Sequence, residues 1–235
     1  MLDRRELFRL TIGALALRCA STDPTRLRAR PSNPTSIAPA GLYELQLGRP
    51  TLLYVPEKPS GAFMLMLHGA TQTPQRMLVR LKDAADALGV TIVAPKSAGI
   101  TRDAIRGQFG TDVAFIDGAL RAAFAQSNVD RKRIALAGFS DGATYALALG
   151  RANGDLFTHV IAFSPGFLIP IDRVGSPRIF ISHGTRDPIL PIDDASRPIL
   201  RDLRRENLSV TFREFDGEHW IPPEVAHAAF EWFRR

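Results

Sequence analysis

The chain has 235 residues, of which 45% are apolar and 23% charged, enough for one domain with a full core and unlike a disordered chain or a membrane channel. Its net charge of +6 does not mark a nucleic-acid surface. Arg4, Arg5, Arg9, Arg18, Arg26, Arg28 and Arg30 stand against Asp3, Glu6 and Asp23, so four of the six charges lie in the first 30 residues and the rest are interspersed on solvated faces. The single cysteine, Cys19, excludes an internal disulfide framework.

The arginine pair Arg4-Arg5, followed by the uncharged run Leu10 to Leu17, resembles a twin-arginine export signal and implies a periplasmic or extracellular protein. The competing reading is an amphipathic N-terminal helix of a cytoplasmic protein. The run is too short to span a bilayer, so stable membrane insertion is not expected. Arg18 stands where a lipoprotein acylation site needs a small residue, which argues against lipidation of Cys19. Residues 20 to 40 hold Pro24, Pro31, Pro34 and Pro39 without apolar periodicity and read as a linker.

From residue 41 to 235 the pattern is that of one domain. Tyr43 to Leu47 and Thr51 to Val55 form a hairpin about Gly48-Arg49-Pro50, and Ala62 to Leu67 is a strand covered on both faces. Helical spacing over 75 to 88, closed by Gly89, leads to a strand at Val90 to Ala94. A helix from Asp112 then leads to a strand at Ile134 to Ala137. Further strands are expected at His159 to Phe163, Arg178 to Ser182 and Val210 to Phe215, with helices at 194 to 206 and 223 to 234. The alternation predicts an α/β fold, a mainly parallel sheet with helices on both faces. Only Ser164 to Pro177 separates two of its strands, too little for a helical cap domain.

Gly138-Phe139-Ser140-Asp141-Gly142 sits between an apolar strand and a small-residue helix, the setting in which G-x-S-x-G forms a nucleophile elbow rather than an ordinary Gly-rich turn. Ser140 is the candidate nucleophile. In a parallel sheet its partners belong at the carboxyl ends of later strands. His183-Gly184-Thr185-Arg186-Asp187 follows one such strand and Asp216-Gly217-Glu218-His219-Trp220 the next, giving the order Ser, Asp, His. Asp193 and Asp194, the competing acids, precede a helical pattern and read as N-caps. His68 and His183 precede glycines at strand ends and read as loop-shaping, whereas His219 has both the chain order and the loop position.

These motifs, with Leu67-His68-Gly69-Ala70-Thr71-Gln72-Thr73-Pro74, resemble an α/β-hydrolase over residues 41 to 235. The oxyanion loop is similar to that of polyhydroxybutyrate depolymerase-like esterases, with the phospholipase/carboxylesterase group as the nearest alternative. Ala70 stands where the depolymerase pattern has cysteine, and Asp141 where Ala, Asn or Gln is commoner. The resemblance implies a serine esterase with Ser140, Asp187 and His219 as its triad. Its oxyanion donors would be the backbone N–H groups of Ala70 and Asp141, with Thr71 as substitute for Ala70. The implied chemistry needs no cofactor or metal, and its partner is a small-molecule or polymeric ester rather than nucleic acid. A peptidase or amidase with the same triad and a noncatalytic binding protein of the same fold are the alternatives. Neither the oligomeric state nor the ester is legible. Phe139, Phe163, Phe167 and Trp220 lie beside the motifs as candidates for an acyl pocket or for core.

Overall fold

The structure is a computed structural model that describes residues 23–235, so the arginine pair, the apolar run and Cys19 lie outside the described residues. The strands are β1 (Gly41–Glu44), β2 (Thr51–Val55), β3 (Phe63–Leu67), β4 (Thr91–Pro95), β5 (Ile134–Phe139), β6 (His159–Phe163), β7 (Arg178–Gly184) and β8 (Val210–Phe215). They form one sheet in the order β1-β2-β4-β3-β5-β6-β7-β8. The β1–β2 and β2–β4 pairs are antiparallel and the rest parallel. The helices are α1 (Pro74–Leu88), α2 (Asp103–Arg106), α3 (Thr111–Phe124), α4 (Asp141–Ala152), α5 (Ser196–Arg205) and α6 (Pro223–Arg234).

The central strands are apolar throughout because both of their faces are covered. Along β3, Phe63, Leu65 and Leu67 join the core beneath α3, α4 and α5, while Met64 and Met66 join the core beneath α1 and α6. The same alternation sends Ile134 and Leu136 of β5 one way and Ala135, Ala137 and Phe139 the other. The functional loops therefore leave the carboxyl edge of a sheet clamped from both sides. Among the described residues no helix is long and apolar enough to cross a membrane.

Four boundaries differ from the sequence reading. The first strand begins at Gly41 and stops at Glu44, before Leu45 to Leu47. The strand expected to end at Ser182 runs on through His183 and Gly184, which pair with Glu214 and Phe215 of β8. The short α2 was not anticipated, since four residues carry no periodicity. Finally, the stretch expected as a linker is irregular over 23–40 but packed rather than loose. Leu27 and Ala29 are buried in the core. Asn153, itself fully buried, accepts the Leu27 N–H at 2.8 Å and donates to Thr25 O at 2.8 Å and to Leu149 O at 2.9 Å. Asp117 accepts the N–H groups of Arg28 and Ala29, both at 2.6 Å. The segment is a strap over α3 and α4, invisible in local composition because its partners lie about 90 to 130 residues away.

Asn153→Ala would strand the Leu27 N–H and the Thr25 carbonyl, at a cost of about 1–3 kcal/mol for each buried group left unpaired. The expected result is a melting temperature lower by several degrees, with the native secondary structure retained at 25 °C, as measured by thermal denaturation followed by circular dichroism.

Candidate active site

Ser140 stands between β5 and α4 with φ 55° and ψ −122°, a left-handed conformation that costs a non-glycine residue of order 1–3 kcal/mol. Two glycines make the turn fit. A Cβ on Gly138 would lie 2.0 Å from Gly142 O, and a Cβ on Gly142 would lie 2.3 Å from Leu67 O, so strand and helix meet backbone to backbone. The Ser140 N–H donates to Phe163 O on β6 at 2.9 Å, and its carbonyl accepts from Ala143 and Thr144 at 2.8 and 3.0 Å, opening α4. Sheet and helix both hold the turn, which leaves the hydroxyl at the carboxyl edge.

Asp187 lies in the turn after β7 and is 5% exposed. Its Oδ1 accepts the N–H groups of Ile189 and Leu190, both at 2.9 Å, and its Oδ2 accepts from His219 Nδ1 at 2.5 Å. His219 Nε2 is 2.9 Å from Ser140 Oγ. An ionised carboxylate accepts only, so the His219 proton sits on Nδ1 and Nε2 is free to accept the serine proton. The loops carrying acid and imidazole are pressed together, since a Cβ on Gly184 would lie 2.4 Å from the carbonyls of both Gly217 and Glu218. Phe139 backs the imidazole, with ring centroids 4.8 Å apart. Burial pushes the Asp187 carboxyl up, but the hydrogen bonds from Leu190, His219 and Ile189 outweigh it and hold the group below the usual carboxylate range. Asp193 and Asp194 are exposed, and Asp193 pairs with Arg197 at 2.6 Å. Neither caps α5, whose N-cap is Ala195 with no side-chain cap bond; the turn after Pro191 displaces the helix start beyond both carboxylates.

On the opposite side of Ser140, the loop after β3 brings Gly69 so close that a Cβ there would be 3.1 Å from Ser140 Cβ. Thr71 is excluded as a free donor because its N–H donates to Ile100 O at 2.8 Å. The backbone N–H groups of Ala70 and Asp141 have no acceptor among the described residues. His68 braces this loop from below. Its Nε2 accepts the Ser97 N–H at 3.0 Å, so Nδ1 carries the proton and donates to Gly69 O at 2.8 Å. Burial, with Arg102 nearby, lowers its pKa to about 4.

The aromatic candidates divide. Phe139 and Phe163 are core, whereas Phe167 and Trp220 are 47% and 46% exposed. Trp220 joins Pro188, Ile189, Glu218 and His219 around an open cavity of about 580 Å³. Residues 164–177 hold no helix, so nothing caps the site from that connection. Asp141 is half-buried in the first turn of α4, and its carboxylate has no hydrogen-bond partner among the described residues. Among the described residues there is no cluster of three or more His, Cys, Asp or Glu that could hold a metal ion. The sequence did not reveal that His183 touches Asp187 or that Ile100 occupies the Thr71 N–H; both contacts need the folded loops.

This sheet, with a serine at its elbow and an acid and a histidine on the two following loops, is that of an α/β-hydrolase. The phospholipase/carboxylesterase family model matches residues 108–232, more than half of the sequence, and the chain belongs to that family of hydrolases. The match favours this group over the depolymerase-like one. Among solved structures, the chain is similar to esterase PE8 with 20% identity, a TM-score of 0.65, and coverage of 83% of this chain and 99% of that one. For the Bacillus cereus carboxylesterase the values are 19%, 0.63, 80% and 94%. For FphF, a fluorophosphonate-binding serine hydrolase of Staphylococcus aureus, they are 15%, 0.61, 84% and 100%. At these identities the likeness concerns the fold. A search of curated protein sequences yields no match.

Burial lowers the pKa of both His68 and His159 to about 4. Both are neutral in the folded chain where an unfolded histidine, with pKa about 6.5, is already protonated. Their contribution is therefore fully present above pH 6.5 and is lost as pH falls towards 4. Unfolding should take up about two protons in this window, read as a falling melting temperature whose slope is reduced in His159→Gln.

Proposed function

We propose that the protein is a serine carboxylesterase working through an acyl-enzyme, with Ser140 as nucleophile, His219 as general base and Asp187 as the acid that orients it. The observation that carries this reading is the continuous chain from Ser140 Oγ through His219, at 2.9 Å, to Asp187 Oδ2, at 2.5 Å. His219 Nε2 takes the serine proton as Oγ attacks the acyl carbonyl, and Asp187 stabilises the imidazolium. The N–H groups of Ala70 and Asp141 receive the oxyanion, each such donor being worth roughly 3 kcal/mol in the transition state. His219 then returns the proton to the leaving oxygen, which places the departing alcohol on the histidine side. The open cavity beside Trp220 and Ile189 lies there. Water repeats the cycle on the acyl-enzyme.

The open mouth and half-exposed aromatics suit short or bulky carboxylic esters. Export remains the reading of the leader, on the strength of Arg4-Arg5 and the apolar run that follows.

The wild type should label with a fluorophosphonate and hydrolyse p-nitrophenyl acetate. Ser140→Ala should do neither, and Asp187→Asn should lower kcat by roughly 10⁴-fold by losing the imidazole tautomer. An unlabelled, inactive wild type defeats the enzyme reading, and activity surviving in Ser140→Ala removes that serine from its role. The unpaired Asp141 carboxylate should also disfavour anionic acyl groups, with neutral acetyl esters preferred over succinyl esters by about fivefold or more in kcat/KM. Asp141→Asn should narrow that preference, and equal rates on the two esters in the wild type would discard this role.

A further inference from the structure

A second histidine lies beside the acid. His183, at the carboxyl end of β7, has a fully buried side chain. Its Nε2 lies 2.8 Å from Leu190 O and 3.2 Å from Asp187 Oδ2, the same carboxylate oxygen that His219 uses. Its Nδ1 lies 2.5 Å from Ser196 Oγ, at the start of α5. A carbonyl and a carboxylate only accept, so the His183 proton must sit on Nε2. Nδ1 is then an acceptor, and the Ser196 hydroxyl is the donor that fills it. Burial keeps this ring uncharged by lowering its pKa. Glu214, opposite His183 on β8, is held by Arg197 at 2.9 and 2.8 Å. The Nε2–H is therefore donated to Leu190 O, whose own N–H donates to Asp187 Oδ1 at 2.9 Å, and the ring edge lies beside Asp187 Oδ2 at 3.2 Å without a hydrogen bond to it.

We infer that His183, with its tautomer set by Ser196, is a positioning residue that acts through Leu190, holding the turn whose backbone N–H groups fix the Asp187 carboxylate in line with His219. The inference rests on the proposed Ser140–His219–Asp187 triad. Ser196 Oγ–H, His183 Nε2–H and Leu190 N–H form a relay of donors that ends on Asp187 Oδ1, while His219 takes Oδ2. Without the His183 donor, the Leu190 carbonyl is released and the turn that supplies the Ile189 and Leu190 N–H groups loosens, so that Asp187 holds the protonated form of His219 less well.

Two substitutions separate this role from packing. In His183→Gln the amide nitrogen can take the place of Nε2, whereas in His183→Asn only the Nδ1 position is reproduced. Ser196→Ala keeps the ring and removes the tautomer lock. On p-nitrophenyl acetate, His183→Asn should lose about tenfold in kcat with little change in KM, the scale of one lost buried hydrogen bond. The acidic limb of its kcat/KM profile should move to lower pH, because a less firmly held Asp187 stabilises the His219 imidazolium less. His183→Gln should lose less and keep the limb near its wild-type position, and Ser196→Ala should fall between the two. Active-site titration with a fluorophosphonate corrects every rate for the fraction of folded protein, so poor folding of one variant does not mimic the effect. Equal losses in Gln and Asn, or an acidic limb unmoved in Asn and Ser196→Ala, would overturn the inference. An inert wild type or an active Ser140→Ala would instead indict the triad itself.

Discussion

Ser140 keeps a left-handed backbone because the space around it is empty of side chains. Gly138 faces Gly142 across the turn and Gly142 faces the carbonyl of Leu67, each at a distance that a methyl group could not occupy, and a Cβ on Gly69 would press on the Ser140 Cβ at 3.1 Å. The close approach lets α4 begin directly behind Ser140, so the Asp141 N–H is a first-turn donor without an intrahelical acceptor. It also lets the loop after β3 pass beside the serine, which puts Ala70 within the same site. The strained φ of Ser140 is held by hydrogen bonds to β6 and into α4. Relaxing it would require breaking the sheet edge or the first turn of the helix.

The same economy of space governs the acid and the base. Gly184 permits β7 to run against the turn carrying His219, bringing two loops from adjacent strands to the 2.5 Å hydrogen bond between Asp187 and His219. A carboxylate this buried stays ionised only where its oxygens are filled with donors, since desolvation alone favours its neutral form. The backbone N–H groups of Ile189 and Leu190 supply two of them, and they exist because Pro188 and the turn after it bend the chain back over the carboxylate. The helix start is correspondingly delayed to Ser196, which puts a hydroxyl where His183 can use it.

Much of this was legible in the sequence for a physical reason. A parallel sheet delivers its loops to one edge, so strand ends bearing Gly-x-Ser-x-Gly, Asp and His in that order are close in space whatever the intervening packing. The buried strands announce themselves by nearly unbroken apolar runs, and β2, β3, β5 and β6 lie within a residue or two of where those runs fall. Features fixed by a partner far along the chain were not legible. Residues 23 to 40 read as a linker because Asn153 and Asp117, which pin them, carry no signal in that stretch. Thr71 remained a substitute for Ala70 as donor until the Ile100 carbonyl was placed on its N–H. His183 looked like a loop-shaping residue because its contact with Asp187 depends on β7 extending two residues further than its apolar run.

Strain and exposure are distributed in opposite senses around the site. Thr71, Ser140 and Ser164, three of the four non-glycine residues with positive φ among those described, follow the ends of β3, β5 and β6 and are held by hydrogen bonds from neighbouring backbone. Each such conformation persists only where its surroundings over-determine it. The rim is the reverse: Ile100, Phe167, Ile189 and Trp220 are exposed apolar side chains on the connections that leave the same edge. Changing a rim side chain alters what the cleft touches without moving Ser140, because no rim residue among these four supplies a side-chain hydrogen bond to the triad. The arrangement of Ser140, His219 and Asp187 is thereby tied to the buried backbone and the surface offered to a ligand to the rim, so substitutions at Ile189 or Trp220 change what the cleft touches and those at Gly138 or Gly142 whether the turn forms at all.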